Sequence, residues 1–184
     1  MVLDGIKLKG QRDIAKRIED LDTVVDFDGK VVLDIGCNMG GVLHNISQRI
    51  KYGVGIDCSS KCINAANIIC DLNHVDNLSF FTFDLDKDNI DDIDDFVLAP
   101  SIDIVFFMAV AHWIKKWRKV IDKISLISPL LIFESNGSKE EQLTQEEYIR
   151  KVYDSVSMIN SESTDDKSQK NRKLFICDTP TYNT

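Results

Sequence analysis

The stretch Val31–Gly41, VVLDIGCNMGG, has the residue types of a ligand-binding loop. Gly36 directly follows an apolar run, where a tight turn needs the backbone freedom of glycine. Asn38 stands where a glycine-rich loop would have its second glycine, and asparagine is among the few other residues that tolerate positive φ. Where such a loop opens a helix, the first helical amides attract polar or anionic groups. We interpret the stretch as a cradle for such a ligand.

A carboxylate, Asp57, closes the apolar run YGVGID twenty-one residues after Gly36. At the end of a strand, it can accept two hydrogen bonds from the neighbouring hydroxyls of a ribose. The expected ligand therefore carries a ribose with a free 2′-hydroxyl. The dinucleotide fingerprint G-x-G-x-x-G would map to Gly36, Asn38 and Gly41 with one position broken, so a nicotinamide cofactor stays open at this point.

Two further residues have side chains suited to acid–base chemistry. His112 follows the apolar run IDIVFFM, and its near-neutral reference pKa would suit a general base. Alternatively, it packs at a helix start and orients the loop. Glu134 ends the run LLIFE and could bind an acceptor amine or hydroxyl, or could cap local amides.

Strands and helices alternate along the chain and would place these residues at one edge of a sheet. Apolar runs predict strands at Val31–Ile35, Tyr52–Asp57, Leu78–Phe83, Ile102–Met108, PLLIFES and Lys173–Cys177. Helical spacing predicts a leading helix through Ile14, Ile18 and Leu21, and others after the glycine loop, after Ser59 and over TQEEYIRKVYDSV. A further helix has the apolar stripe Trp113, Trp117, Val120, Ile121, Ile124 and Ile127, which places both tryptophans in the core.

This alternation of near-continuous apolar strands with helices predicts an α/β fold, a doubly wound and mostly parallel sheet with helices on both faces. Ligands of such sheets bind beyond the carboxyl ends of the strands. We expect a single domain over residues 1–184, with the leading helix within residues 1–26 and an exposed polar loop at residues 161–172.

Composition limits the function classes. The net charge of −8 argues against holding a nucleic acid by bulk electrostatics. A local basic face is still present, formed by Lys115, Lys116, Arg118, Lys119 and Lys123. It is either the solvated side of an amphipathic helix or a guide for an anionic acceptor such as RNA.

The cysteines and the apolar runs bear on location. The five cysteines form no C-x-x-C pair and no zinc spacing, and the acidic segment DLDKDNIDDIDD lacks the glycine and the glutamate of a calcium loop. The N-terminus has no signal-peptide core, and nowhere do eighteen apolar residues run together. We expect a cytoplasmic protein with reduced thiols, no metal site and no membrane contact.

The motif D-I-G-C-N-M-G resembles the first motif of the class I S-adenosylmethionine-dependent methyltransferases, an acid two residues before a G-x-G-x-G loop. Asn38 is the departure from that pattern. The strand endings in FTFDLD and the segment M-A-V-A-H-W are similar to later motifs of the family, so the resemblance covers about residues 25–135. It implies a Rossmann-like seven-stranded sheet whose last strand is antiparallel, with S-adenosylmethionine as methyl donor and S-adenosylhomocysteine as product.

The resemblance also implies roles for individual residues. Asp34 would brace the loop formed by Gly36, Cys37, Asn38 and Gly40. Asp57 would take the ribose, with Cys58 beside the adenine. Asp84 and Leu85 would face the adenine amino group, and Met108 begins a loop that touches the methionine part of the cofactor. Arg12, on the leading helix, would pair with the cofactor carboxylate or stay at the surface.

The methyl acceptor stays open between a small molecule and RNA, although the M-A-V-A-H-W segment looks closer to small-molecule and transfer-RNA wobble-uridine methyltransferases. A second hypothesis is a non-catalytic partner subunit that keeps the fold and activates another methyltransferase. A third is an NAD-binding module. The sequence leaves the oligomeric state open and is compatible with a protein partner.

Overall fold

The structure, a computed structural model, describes residues 2–3, 6–7, 12–166, 168–169 and 171–181. Its strands are β1 (Val2–Leu3), β2 (Ile6–Lys7), β3 (Val31–Ile35), β4 (Tyr52–Asp57), β5 (Leu78–Thr82), β6 (Ile104–Met108), β7 (Leu130–Glu134), β8 (Tyr153–Asn160) and β9 (Leu174–Pro180). Its α-helices are α1 (Ile14–Asp22), α2 (Gly41–Ile46), α3 (Ser60–Asn73), α4 (Trp117–Ile127) and α5 (Lys139–Val152). Short 3-10 helices span Ile90–Phe96 and Ala111–Trp113.

Seven strands form one sheet in the order β5-β4-β3-β6-β7-β9-β8. Strands β3 to β7 are parallel, and β9 runs antiparallel to both β7 and β8. The predicted doubly wound sheet with an antiparallel last strand is therefore confirmed. The strand order reverses between β4 and β6 on either side of β3, and this is where such sheets bind ligands.

The core lies on both faces of this sheet. Alternate residues of β3 point to opposite faces: Leu33 belongs to a cluster with α4 and α5, and Val32 to one with α1, α2 and α3. All five residues of β3 and of β6 are buried, as expected for central parallel strands. No helix among the described residues is long and apolar enough to cross a lipid bilayer.

Two expectations from the sequence are wrong. The helix predicted over TQEEYIRKVYDSV ends at Val152, and Tyr153 begins β8. No glycine or proline marks this boundary, and the strand exists because it pairs with β9, for example through Val156 and Cys177. A distant pairing of this kind leaves no local signal.

Trp113 is the second correction, since it does not lie in the core. Helix α4 begins only at Trp117, and residues 111–113 form a separate 3-10 turn. The shift takes Trp113 out of the apolar stripe, and it is 73% exposed.

The polar loop expected at residues 161–172 is mostly exposed where the structure describes it, with Asp165 as a buried exception. The backbone N–H of Asp13 donates to the Asp165 carbonyl at 3.0 Å, and the Asp165 side chain is buried in an ion pair with Arg17. Asp165 therefore joins this loop to the N-terminal side of α1.

Candidate active site

The glycine loop joins β3 to α2 and contains three residues with positive φ. These are Gly36 at 80°, Asn38 at 53° and Gly40 at 70°. The expected left-handed turn at Asn38 is confirmed, and its Oδ1 accepts the N–H of Met39 at 2.8 Å. A Cβ on Gly36 would lie 2.5 Å from Val110, and one on Gly40 would lie 2.5 Å from Phe80. The loop thus needs glycine at both positions, for conformation and for space.

Asp57 lies at the carboxyl end of β4 and holds this loop. Its Oδ2 accepts the Asn38 N–H at 2.9 Å, and its Oδ1 accepts the Ser59 N–H at 2.8 Å. A carboxylate has about four acceptor positions, so each oxygen keeps one for a ligand hydroxyl. The carboxylate is half-buried and fixed in orientation, which fits a ribose.

Asp34 lies in β3 and is only 4% exposed. Burial raises the pKa of its carboxyl to about 7, against the opposing influence of Arg17 and with a further increase from Asp57. Asp34 therefore changes charge near neutral pH. Among the described residues, the loop amides donate to the Ile56 carbonyl, to Asp57 and to acceptors within the loop itself, and not to Asp34.

Two residues that follow β5 lie at the same edge. The carboxylate of Asp84 accepts Lys87 Nζ at 2.6 Å and the Asp86 N–H at 3.1 Å, and the hydrogen bond from Lys87 lowers its pKa. The neighbouring Leu85 packs into the core. Cys58, which follows Asp57, is exposed. These residues surround the edge beyond β4 and β5, opposite to the side occupied by Glu134.

Glu134 ends β7 and is buried in a charge cluster. Its Oε2 accepts Arg17 Nη2 at 2.6 Å and Arg12 Nη1 at 3.2 Å. Arg17 Nε donates to Asp165 at 2.8 Å, and its Nη1 lies 3.5 Å from the sulfur of Met108. Burial opposes the charge of Arg17, but Glu134 and Asp165 outweigh it and raise the pKa of the guanidinium.

A third arginine, Arg172, lines the same region. Its Nε and Nη1 are buried and have no hydrogen-bond partner in the described part of the chain. Burial lowers its pKa, and the neighbouring Arg12 lowers it further. A cavity between Arg172, Arg17 and Glu134 has a volume of about 10 Å³, enough for one water molecule.

His112 lies in the 3-10 turn after β6, and the loop after β7 fixes it. The ring nitrogen Nδ1 of His112 lies 2.9 Å from Glu141 Oε1, and the backbone N–H of His112 donates to Asn136 Oδ1 at 2.9 Å. Asn136 Nδ2 also donates to the Ala109 carbonyl at 2.8 Å. Hydrogen bonds from the Ser138 backbone, and a weaker one from His112, lower the pKa of Glu141. The other ring nitrogen, Nε2, is left available to act on a ligand.

Residues 33–127 match the family described as a methyltransferase domain. The chain belongs to this family. Together with the sheet order and the antiparallel β9, this makes it a class I methyltransferase, whose methyl donor is S-adenosylmethionine.

Curated relatives match only a part of this methyltransferase. Two 23S rRNA (uracil(1939)-C(5))-methyltransferases, from Haemophilus parainfluenzae and Mannheimia succiniciproducens, are each 34% identical, over 56 and 62 residues. The matches cover 30% and 34% of this chain but only 13% and 14% of the relatives.

Solved structures share the fold over most of the chain. The N-terminal domain of EvdMO1 with S-adenosylhomocysteine bound has a TM-score of 0.71 at 8% identity, covering 97% of this chain and 91% of that one. The bifunctional kinase-methyltransferase WbdD has a TM-score of 0.70 at 18% identity over 92% of this chain and 40% of that one. A methyltransferase in complex with the Haloferax volcanii Trm112 activator has a TM-score of 0.63 at 17% identity, covering 89% and 88%.

Several residues of this edge were not singled out from the sequence. Arg17 lies at helical spacing between Ile14 and Leu21, so an arginine inside the apolar stripe of α1 was a usable signal. Glu141 is the fourth residue of the capping box that begins with Ser138, which predicts the helix start but not the contact with His112. Asp165 and Asn136 act through tertiary contacts that have no sequence signature.

Proposed function

We propose that this methyltransferase holds S-adenosylmethionine across the ends of β3, β4 and β5 and methylates a small-molecule or RNA acceptor at the ends of β6 and β7. The observation that carries the proposal is the pairing of the glycine loop with Asp57. The Asn38 N–H and the Asp57 carboxylate fix each other at 2.9 Å, at the point where the strand order reverses.

The residues fit the donor. The loop from Gly36 to Gly40, with Cys37 and Asn38 between them, presents its backbone to the donor, and the close packing of Val110 and Phe80 requires glycine at both ends. Asp57 accepts the ribose hydroxyls, Cys58 lies beside the base, and Asp84 with Leu85 bounds the adenine. When bound, S-adenosylmethionine supplies an electrophilic methyl group on a sulfonium.

The methionine end of the donor is assigned to Asp34, Met108 and Arg12. Met108 and Asp34 lie in adjacent parallel strands, and Met108 contacts Arg17. Arg12 is partly exposed, with 26% of its side chain accessible, so it can exchange its long contact with Asp165 for a ligand carboxylate. These assignments follow from position and charge.

At the acceptor end, His112 serves as general base. Glu141 at 2.9 Å holds Nδ1 and so fixes the ring and its tautomer, which directs Nε2 at the acceptor. Glu134 shares Oε2 between two guanidinium groups, so its role is to orient Arg17 at the acceptor edge and Arg12 towards the donor carboxylate. The reaction is an in-line displacement that depends mainly on positioning.

The five cysteines are free thiols, in keeping with a reducing compartment, and a cytoplasmic location is part of the proposal. RNA as acceptor is supported by the rRNA methyltransferases that match residues of this chain. A small-molecule acceptor is supported by the EvdMO1 domain, which shares the fold and was solved in the presence of D-fucose. Whether activity requires a partner subunit, as in the Trm112 complex, is tested by assaying the chain with and without a second protein.

The test is transfer of a labelled methyl group from S-adenosylmethionine to fractionated RNA and metabolites, using the purified chain without a partner. We expect label in one fraction and its loss in His112→Gln at neutral pH, with the deficit reduced at high pH, where the acceptor loses its proton unaided. Label transfer only after addition of a second protein would instead support a partner-dependent enzyme. Unchanged methyl-transfer rates in His112→Gln would contradict the assignment of His112 as the general base.

A further inference from the structure

Trp113 is a large apolar side chain left in solvent beside the candidate base. It is 73% exposed, and its ring lies edge-on to the His112 imidazole with centroids 4.6 Å apart. Both residues belong to the short 3-10 turn that follows β6. The turn is anchored by the hydrogen bond from the His112 N–H to Asn136, so the indole is presented from a fixed backbone.

A cluster of positively charged side chains begins two residues after Trp113. Four exposed residues within five positions carry positive charge, and none of them forms an ion pair with a described residue: Lys115, Lys116, Arg118 and Lys119. Asp86 Oδ1 accepts the backbone N–H groups of Lys115 at 3.0 Å and Lys116 at 3.4 Å, which fixes the chain and leaves both ammonium groups in water. The four cations form a local cluster on a chain with a net charge of −8, and Lys116 and Lys119 line a cavity together with the carboxylates of Asp88, Asp91 and Asp122.

The charge distribution decides what this surface attracts. Arg118 stacks over Trp117 at 4.4 Å, so its guanidinium is partly committed to the protein. Lys115 and Lys116 follow Trp113 by two and three residues, are exposed, and make no such ring contact. An exposed aromatic face with two lysines within three residues of it is complementary to an unstacked base and its neighbouring phosphates. An apolar partner would gain nothing from the cations, and a duplex keeps its bases stacked.

We propose that Trp113 is a stacking platform for an unpaired base of single-stranded RNA, with the adjacent phosphates held by Lys115 and Lys116. This proposal rests on the proposed function, because it names the acceptor class at the site that contains His112. The negative charge of the rest of the chain limits binding to this patch. Recognition therefore involves few phosphates, and its salt dependence is shallow.

The two tryptophans of the chain make a direct test possible. Trp117→Phe leaves Trp113 as the sole tryptophan and retains an aromatic ring against Tyr148 and Arg118. Trp113→Phe is the matched variant, with Trp117 as the sole reporter. The probe is single-stranded oligouridylate of about twelve nucleotides, a length within the site size of single-strand binders.

We expect the oligouridylate to quench the fluorescence of Trp117→Phe and to leave that of Trp113→Phe unchanged. Trp113→Ala should weaken binding, measured by anisotropy of labelled RNA, by about 5- to 150-fold, as for loss of one stacked base. Lys115→Gln with Lys116→Gln should weaken binding and flatten its salt dependence. Lys51→Gln, an exposed lysine immediately before β4 at the opposite edge of the sheet, should do neither.

The comparison probes decide between ligand classes. Equal quenching by uridine 5′-monophosphate at the same nucleotide concentration, or by polyglutamate, would overturn RNA in favour of a small nucleotide or an acidic protein. Quenching by an RNA duplex equal to that by the single strand, or none by any probe, would also overturn the proposal. S-adenosylhomocysteine is titrated into the same samples: binding without an RNA response refutes only the platform, and absent binding refutes the proposed function itself.

Discussion

At the scale of single residues, Asn38 resolves the apparent defect in the glycine loop. Its φ of 53° is the value a glycine would otherwise supply, and its amide group makes a hydrogen bond inside the turn. An asparagine therefore preserves the cradle that the family pattern builds with glycine. The turn conformation, and not the glycine itself, is what the position requires.

Replacement of Asn38 tests this directly. Asn38→Ala keeps a Cβ in the left-handed region without the local hydrogen bond, so it should lower the free energy of unfolding by about 1 kcal/mol and weaken binding of S-adenosylhomocysteine. Asn38→Gly should be tolerated, because glycine adopts this φ freely. Chemical unfolding and calorimetry of the pair make the comparison, and equal losses in both variants would refute the conformational explanation.

Asp34 predicts a pH dependence. Its pKa is raised from 3.8 to about 7 in the folded protein, so the ionised form destabilises the fold above that pH, and this cost disappears as the pH falls towards 4. Asp34→Asn should therefore raise the free energy of unfolding at about pH 8 by at most about 4 kcal/mol. The two proteins should converge near about pH 4 in urea unfolding curves. A difference that does not vary with pH would contradict the assignment.

At the scale of elements, the buried ion pairs join three separate parts of the chain. Arg17 of α1 reaches Glu134 at the end of β7 and Asp165 in the segment before β9. Removing Asp165 leaves the buried guanidinium of Arg17 with one carboxylate partner instead of two, which costs more than loss of an exposed pair. Asp165 therefore ties its loop to α1 through an ion pair that the polar sequence around it does not reveal.

Asp165→Asn should lower the free energy of unfolding by about 3 kcal/mol. Its control is Asp22→Asn, which removes an exposed pair with Arg49 of similar length, 2.6 Å, and should cost less than about 1 kcal/mol. Urea unfolding measures both. Equal losses of unfolding free energy in the two variants would show that burial does not strengthen the contribution of the Asp165–Arg17 pair to stability.

The loops after β6 and β7 contact each other closely at Gly137. A Cβ there would lie 2.8 Å from both His112 Nδ1 and Glu141 Oε2, and φ is 97°. Gly137→Ala should displace the imidazole and lower kcat about ten-fold or more, as for a misplaced catalytic group. Gly29→Ala has a comparable φ of 70° but open space around its Cβ, so it should cost about 1 kcal/mol of stability and leave kcat unchanged. Equal kcat values in the two variants would contradict a role for this contact.

The sequence predicted the elements that have strong local patterns. Runs such as Val31–Ile35 are apolar throughout because both sheet faces are covered, and α1 has a clear stripe. The sequence did not predict the boundary at Tyr153, because that boundary depends on the pairing of β8 with β9. It did not predict the exposure of Trp113, because that exposure depends on where α4 begins. The left-handed turn at Asn38 and the position of Asp57 at a strand end were predictable from the sequence. Glu141 and Asp165 were not, because their roles depend on contacts across the fold.

At the scale of the whole molecule, two hydrophobic cores support one edge of the sheet. The cluster around Leu33 and the cluster around Val32 pack against β3 from opposite faces, directly before the glycine loop at its carboxyl end. In the proposed assignment, the residues for the nucleoside part of the donor lie on the β4 and β5 side of this edge, Met108 and Arg12 take its methionine end, and His112 lies on the β6 and β7 side. This assignment places the two reactants next to each other at one edge of the sheet.

The decisive measurement is calorimetric titration of S-adenosylhomocysteine into the wild-type chain and into Asp57→Ala. We expect binding by the wild type, and a loss of about 1 to 3 kcal/mol in the variant, the scale of lost charge-assisted hydrogen bonds to a ribose. NAD should not bind to either protein. Unchanged affinity in Asp57→Ala, or binding of NAD in preference to S-adenosylhomocysteine, would contradict a nucleoside held between the glycine loop and the end of β4.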